Sequence, residues 1–188
     1  MENKALFLDR DGIINIDSAY VHQPKDFIFV EGIFDLCHHF VNQGYRLFII
    51  TNQAGIGRGY YTEKEFDDLM RWVSAEFSKQ GLTIEKSYYC PHHPIAGIGD
   101  YKQTCGCRKP EAGMILSAAE EFNLNLNQSL LIGDKMSDIN AGKKAGLEKS
   151  YLIKSRYQEK YDFISVEAMY HYFSHQKIEA MPHPATRL

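Results

Sequence analysis

The chain has 188 residues, 44% of them hydrophobic, and a formal net charge of −3. That suits one domain with a full core, since a chain of this size buries about 70% of its unfolded surface, and it lacks the basic excess expected of a nucleic-acid binder. No long apolar segment precedes Asp9, so neither a signal peptide nor a membrane helix is expected, and the sequence reads as a cytoplasmic, monomeric enzyme acting on a small molecule.

The first apolar run, residues 5–8, predicts a buried strand that ends in Asp9-Arg10-Asp11-Gly12. Residues i and i+2 of a strand point the same way, and sites in open α/β sheets lie beyond the carboxyl ends of strands. Two acids so close repel unless a cation sits between them or one holds a proton. The pattern therefore suggests a divalent metal, one acid as nucleophile and the other as proton carrier; the alternative is an ordinary strand-to-turn exit. A helix is expected over 31–43, with Cys37 as a small core residue. A second strand, 46–50, ends in Thr51-Asn52-Gln53. Gly55-Ile56-Gly57-Arg58-Gly59 looks like a dinucleotide turn, but it has the wrong spacing and follows the second strand, so NAD is rejected.

Thr62 and Glu65 form a capping-box pattern ahead of a helix over 62–80. After a third strand at 85–89 comes a loop rich in cysteine and histidine. Cys90, His92, Cys105 and Cys107 offer the thiolate and imidazole donors of a closed tetrahedral zinc site. A disulfide between Cys105 and Cys107 would be strained, and unlinked loop thiols are the remaining alternative. Arg108-Lys109-Pro110 places two cations before a helix over 111–123. A fourth strand, 129–132, leads to Asp134, Lys135 and Asp138, then a helix over 136–146, a strand at 150–153 and a last helix near 165–176. Gly44, Gly81 and Gly146 fall where helices should end. Such alternation implies a parallel sheet covered on both faces. One domain over residues 1–177 with a C-terminal tail at 178–188 is the expected organisation.

An acid pair, a hydroxyl, a cation and a second acid pair, delivered in order by four segments, resemble the haloacid dehalogenase (HAD) superfamily of aspartate-nucleophile phosphatases. The resemblance runs from Lys4 to about Tyr157. It implies a Rossmann-like, doubly wound α/β fold. The short interval from Asp11 to Thr51 leaves no room for a cap domain, so the fold should be capless, with the zinc loop ahead of Arg108. It implies Asp9 as nucleophile and Asp11 as general acid and base. Magnesium would be held by Asp9, Asp134 and the Asp11 backbone carbonyl, and the phosphoryl group by Thr51 and Lys109. Asp138 either orients Lys135 or a metal-bound water, or merely starts its helix. Lys135 is either a substrate contact or a solvated charge. Ile13 replaces a threonine common in the family, at a position that chiefly supplies backbone. The zinc-loop branch implies a sugar bisphosphate substrate, with histidinol phosphate as the alternative. Arg108 would hold the phosphate that stays, with Arg58 as its alternative, and Asp17, Ser18, Ala19, Tyr20, Asn52, Gln53 and Ala54 would read the sugar. A reading of another class is a zinc-stabilised binding protein without catalysis.

Overall fold

Five short strands, β1 (Lys4–Leu8), β2 (Tyr45–Asn52), β3 (Ile84–Cys90), β4 (Leu130–Gly133) and β5 (Lys149–Leu152), pair in parallel in the order β3-β2-β1-β4-β5. They are seen in a computed structural model that describes residues 3–179. Six helices connect or flank them: α1 (Ile33–Val41), α2 (Ala54–Gly57), α3 (Glu63–Lys79), α4 (Gly113–Phe122), α5 (Met136–Ala145) and α6 (Val166–Glu179). The expected strands and longer helices are all present with small shifts at their ends. The four-residue α2 has no counterpart in the sequence reading, because so short an element carries no periodicity. Helix α6 runs past the expected end at 176, and residues 180–188 of the expected tail lie outside the described residues.

Side-chain alternation on the strands divides the core in two. Leu6, Leu8, Leu47, Ile49, Leu130 and Ile132 face α1, α3 and α6, meeting Leu36, Phe40, Phe66, Val73, Phe77 and Met169. Ala5, Phe7, Phe48, Ile50 and Leu131 face α4 and α5, meeting Met114, Ile115, Ala118 and Ala141. Both faces of the sheet are thus covered, as a parallel sheet requires. Cys37 is fully buried in the first core, as expected of a small apolar residue. At the start of α3 the Thr62 Oγ1 accepts from the Glu65 N–H and the Glu65 carboxylate accepts from the Thr62 N–H, completing the capping box. Among the described residues no helix is long and apolar enough to cross a membrane.

Strand β1 has β2 on one side and β4 on the other. The winding reverses here, and the crevice beyond the carboxyl ends of β1 and β4 is where such sheets bind ligands.

Candidate active site

Asp9 follows β1 directly, its N–H donating to the Ile132 carbonyl of β4 at 3.0 Å. Its side chain is buried, and Oδ1 accepts from the Arg10 N–H and from Lys109 Nζ, both at 2.8 Å. Lys109 Nζ is equally buried and also contacts Asp138 Oδ1 at 2.6 Å and the Ile50 carbonyl at 2.9 Å. Asn52, at the end of β2, exchanges two 3.0 Å hydrogen bonds with the Lys109 backbone. The cation is therefore fixed to the sheet through its main chain as well as its ammonium group. The Lys109–Pro110 peptide is cis.

One buried lysine among three acids leaves negative charge in excess. Oxygens of Asp9, Asp134 and Asp138 all lie within 4.8 Å of one another. Burial, reinforced by Asp138 and opposed by Lys109, pushes the Asp9 carboxyl up to about 6. Burial, with Asp9 beside it, pushes Asp134 up to about 7. Burial pulls the Lys109 ammonium down, but Asp138 and Asp9 outweigh it and keep the lysine charged. Asp134 Oδ1 is buried without a hydrogen-bond partner; Lys135 Nζ lies 3.3 Å away. Gly12 keeps this corner open: it has φ +94°, and a Cβ there would sit 2.6 Å from Asp134 Oδ2. The Ile13, Ile14 and Asn15 N–H groups all bond to the Arg10 carbonyl, so none of them takes the Asp11 carbonyl. The clustered carboxylates of Asp9, Asp134 and Asp138, one oxygen of Asp134 being orphaned, are hard oxygen donors that suit a hard cation, and the Asp11 carbonyl is left unused by its turn.

Asp11 is clamped from three sides. Both its oxygens accept from Arg10 Nη2, at 2.7 and 2.9 Å, Oδ1 accepts from Asn15 Nδ2 at 3.1 Å, and Oδ2 accepts from Gln53 Nε2 at 3.2 Å. Gln53 also donates to Thr51 Oγ1 at 2.7 Å and accepts from the Tyr61 hydroxyl. A Cβ on Gly55 would come within 2.3 Å of the Tyr61 ring, so this glycine seats the tyrosine. A cavity of about 460 Å³ is lined by Asp11 together with Asp17, Lys135, Arg58, His93 and Arg108.

The cysteine-rich loop borders that cavity. Successive donor separations are 3.7 Å for Cys90 Sγ to His92 Nδ1, 3.4 Å for Cys90 to Cys105, 3.2 Å for Cys105 to Cys107 and 3.5 Å for Cys107 to His92. All four cysteines are free. About 3.6–3.8 Å is the edge length expected when sulfur and imidazole ligands surround one tetrahedral ion, so the cluster is compatible with a metal. Around it, Tyr89 and Tyr101 donate to Glu63 of α3, and the Ile98 N–H donates to the Gly57 carbonyl at 2.8 Å. Gly57 packs so closely that a Cβ would lie 2.4 Å from the Pro91 carbonyl. The glycine-rich segment is thus a docking surface for the loop, which explains its departure from dinucleotide spacing.

Known proteins match this chain at the levels of motif, sequence and fold. A HAD-hydrolase-like family model matches residues 106–159. The chain is 50% identical over 156 residues to the D-glycero-α-D-manno-heptose-1,7-bisphosphate 7-phosphatase of Burkholderia mallei, covering 83% of this chain and 82% of that protein. It is 43% identical over 155 residues to the D-glycero-β-D-manno-heptose-1,7-bisphosphate 7-phosphatase of Vibrio cholerae, covering 82% and 83%. The chain belongs to the heptose-1,7-bisphosphate 7-phosphatase family. Its fold matches that of the D,D-heptose 1,7-bisphosphate phosphatase of B. bronchiseptica, a structure complexed with magnesium and phosphate, with a TM-score of 0.75 at 23% identity over 92% of this chain and 99% of the other.

In this heptose-bisphosphate phosphatase homologue, most residues singled out from sequence converge on one site, some in unexpected relations. Asp11, Asp17, Ala19, Tyr20, Asn52, Gln53, Ala54, Arg58, Arg108 and Lys135 line the cavity, whereas exposed Ser18 and the buried Asp9, Thr51, Lys109 and Asp134 lie outside its lining. Asp138 meets Lys109 rather than the Lys135 side chain, while its Oδ2 accepts from the Lys135 N–H at 3.0 Å and starts α5. Lys135 Nζ instead lies between Asp134 and Asp17, so it is no free surface charge. The amides of Asn52 and Gln53 are bonded to Lys109, Thr51, Asp11 and Tyr61, which makes both residues scaffolding as well as wall. The sequence reading overlooked Arg10, Tyr61, His93, Arg156 and Tyr157. Only Arg10 carried a signal, a cation flanked by two acids.

Proposed function

We propose that this chain removes the C7 phosphate of D-glycero-D-manno-heptose 1,7-bisphosphate through an aspartyl-phosphate intermediate, a step of nucleotide-heptose synthesis for surface polysaccharide. The observation that carries the reading is buried Asp9 held 2.8 Å from Lys109, two residues from Asp11, which lines a cavity with two arginines on its wall. Arg58 Nε is buried without a partner among the described residues, and Arg108 Nη1 donates only to the neutral His92 carbonyl, at 3.0 Å. Such a cavity suits a substrate with a second phosphate, and the names of relatives acting on heptose bisphosphates support that substrate. Histidinol phosphate carries a single phosphate and leaves the arginines unused.

Asp9 attacks phosphorus, its carboxylate oxygen forming a bond as the bond to the C7 oxygen breaks, and Asp11 gives the leaving alkoxide its proton. Water then attacks the aspartyl phosphate at phosphorus, Asp11 takes a proton from that water, and inorganic phosphate leaves with Asp9 restored. Oδ1 of Asp9 is occupied by two donors, which leaves Oδ2 the freer oxygen. Lys109 and the Thr51 hydroxyl serve the phosphoryl oxygens on which charge develops. Asp9, Asp134 and the Asp11 carbonyl would hold magnesium, which when bound neutralises phosphoryl charge. Asp138 keeps Lys109 in place. Cys90, His92, Cys105 and Cys107 would hold zinc in a closed, structural site. Arg108 holds the remaining phosphate, for which a guanidinium offers paired donors, and Arg58 assists it. On this reading the chain acts as a cytoplasmic monomer on a small-molecule substrate.

The test is phosphate release from both heptose bisphosphate anomers, fructose 1,6-bisphosphate and histidinol phosphate, with and without magnesium. The expected outcome is magnesium-dependent release, with kcat/KM for a heptose bisphosphate at least about tenfold above the others, a difference of about 1.4 kcal/mol. Equal or better turnover of histidinol phosphate would overturn the substrate; no magnesium-dependent release from any of them would overturn the activity.

A further inference from the structure

The segment between β5 and α6 contributes no motif, yet two of its residues, Arg156 and Tyr157, line the cavity. The Ile153 N–H continues from β5 onto the Gly133 carbonyl at 2.9 Å, and the Lys154 N–H closes the loop's base onto the Phe163 carbonyl at 2.8 Å. Within it, Ser155 Oγ and Gln158 Nε2 both donate to the Asp134 carbonyl, at 2.6 and 2.5 Å. The loop is therefore fastened to the strand exit that supplies the buried acid, and its tip, Arg156 and Tyr157, lines the cavity.

From that tip the Tyr157 hydroxyl donates to Asp17 Oδ2 at 2.6 Å, joining the loop after β5 to the loop after β1. Lys135 Nζ and Arg156 Nη2 each approach the same oxygen to 3.6 Å. Lys135 Nζ also lies 4.3 Å from the centre of the Tyr157 ring, and Arg156 Nη2 donates to the Tyr157 hydroxyl at 2.9 Å. The other Asp17 oxygen, Oδ1, accepts one bond, from the Ala19 N–H at 3.2 Å. An ionised carboxylate is an acceptor with room for several donors, so Oδ1 retains capacity for a hydroxyl. The two cations offset the repulsion that a bare carboxylate would exert on an anionic substrate.

We infer that Tyr157 is a positioning residue for sugar recognition, its hydroxyl fixing Asp17 to accept a sugar hydroxyl and making the loop after β5 a specificity-determining wall. This rests on the sugar-bisphosphate reading above. The backbone beside Asp17 agrees with a held position. Ala19 and Tyr20 both adopt left-handed conformations, φ 63° and 52°, which residues with a Cβ rarely keep unless their surroundings enforce it. Burial disfavours the charged form of Asp17, but the Tyr157 hydroxyl and Lys135 outweigh it and hold the carboxyl below its ordinary range.

Tyr157→Phe removes the hydroxyl and keeps the ring over Lys135. It should raise KM for heptose bisphosphate about tenfold, the scale of one hydrogen bond to a charged group, with a much smaller change in kcat. The ratio of that KM to the KM for 4-nitrophenyl phosphate, which has no sugar hydroxyl, should rise by the same factor. Asp17→Asn should act alike, and the double variant should lose little beyond the worse single one, since the two changes remove one coupled unit. The inference is overturned if KM stays unchanged in Tyr157→Phe, if it rises equally for both esters, or if the two substitutions are fully additive. A wild-type protein inactive on heptose bisphosphate would instead overturn the substrate reading, so the two failures are distinct.

Discussion

Asp9, Lys109 and Asp138 form a buried line of acid, base and acid, with Lys109 Nζ 2.8 Å from Asp9 and 2.6 Å from Asp138. Asp9→Asn keeps the size and most hydrogen bonds of the side chain but removes the nucleophile. We expect turnover to fall by roughly three orders of magnitude or more, the scale seen when a covalent nucleophile is lost, with the melting temperature little changed. Steady-state kinetics and thermal unfolding of the same preparation check this; an active Asn variant refutes the covalent mechanism. Lys109→Ala should differ, because it leaves two buried carboxylates facing each other. Losing one partner of a buried pair costs about 3–5 kcal/mol, so both turnover and denaturant midpoint should drop. Arg108 stands on the cavity wall, and Arg108→Ala should chiefly raise KM for a sugar bisphosphate. About 1.5–3 kcal/mol for a charge-assisted bond corresponds to roughly a ten- to hundredfold rise. A monophosphate measured in parallel should respond far less.

At the scale of elements, the cysteine-rich loop is held by more than the four residues proposed to bind zinc. Glu63 of α3 accepts from Tyr89 and Tyr101, and the Arg108 guanidinium donates to the carbonyl of His92 at 3.0 Å. Cys105→Ser should therefore lower zinc content below one per chain, reduce thermal stability and raise KM through Arg108, while leaving the loop attached to α3. Structural zinc sites supply about 10–16 kcal/mol in small peptides, well above what these tyrosine bonds can replace. Full zinc content, or an unchanged KM, in the variant would refute the coupling between loop and cation. These elements also show what a sequence displays. Strand ends, the Thr62 capping box and the order of the four motifs were legible because each is local and periodic. Asn52 binding the Lys109 backbone, Tyr157 reaching Asp17 and Asp138 choosing Lys109 over Lys135 join residues distant in sequence. Local pattern does not encode such pairings; the winding of the sheet creates them. The four-residue α2 was missed because it is too short to show periodicity, and Tyr61 because its seat against Gly55 is a packing contact with no local motif.

For the molecule as a whole, the site's acids make folding, protonation and metal binding one linked equilibrium. Asp9 and Asp134 are raised from an ordinary 3.8 to about 6 and about 7, burial being the largest cause for each. A carboxyl raised on folding makes the native state bind more protons than the unfolded chain between those values. Stability without magnesium should then fall, through these two groups, as pH rises from about 4 to about 7. If Asp9 and Asp134 hold magnesium as proposed, the metal requires both carboxylates ionised, so its binding should compete with those protons and release them. Added at fixed excess to protein that retains its zinc, magnesium should raise the melting temperature only slightly at pH 5 and clearly at pH 8, because stabilisation by a ligand grows with its effective affinity. Calorimetry at pH 6.5 in buffers of different ionisation enthalpy should detect proton release on binding. Equal magnesium-induced shifts at both pH values, with no proton release, would show that the acids are already ionised in the metal-free fold.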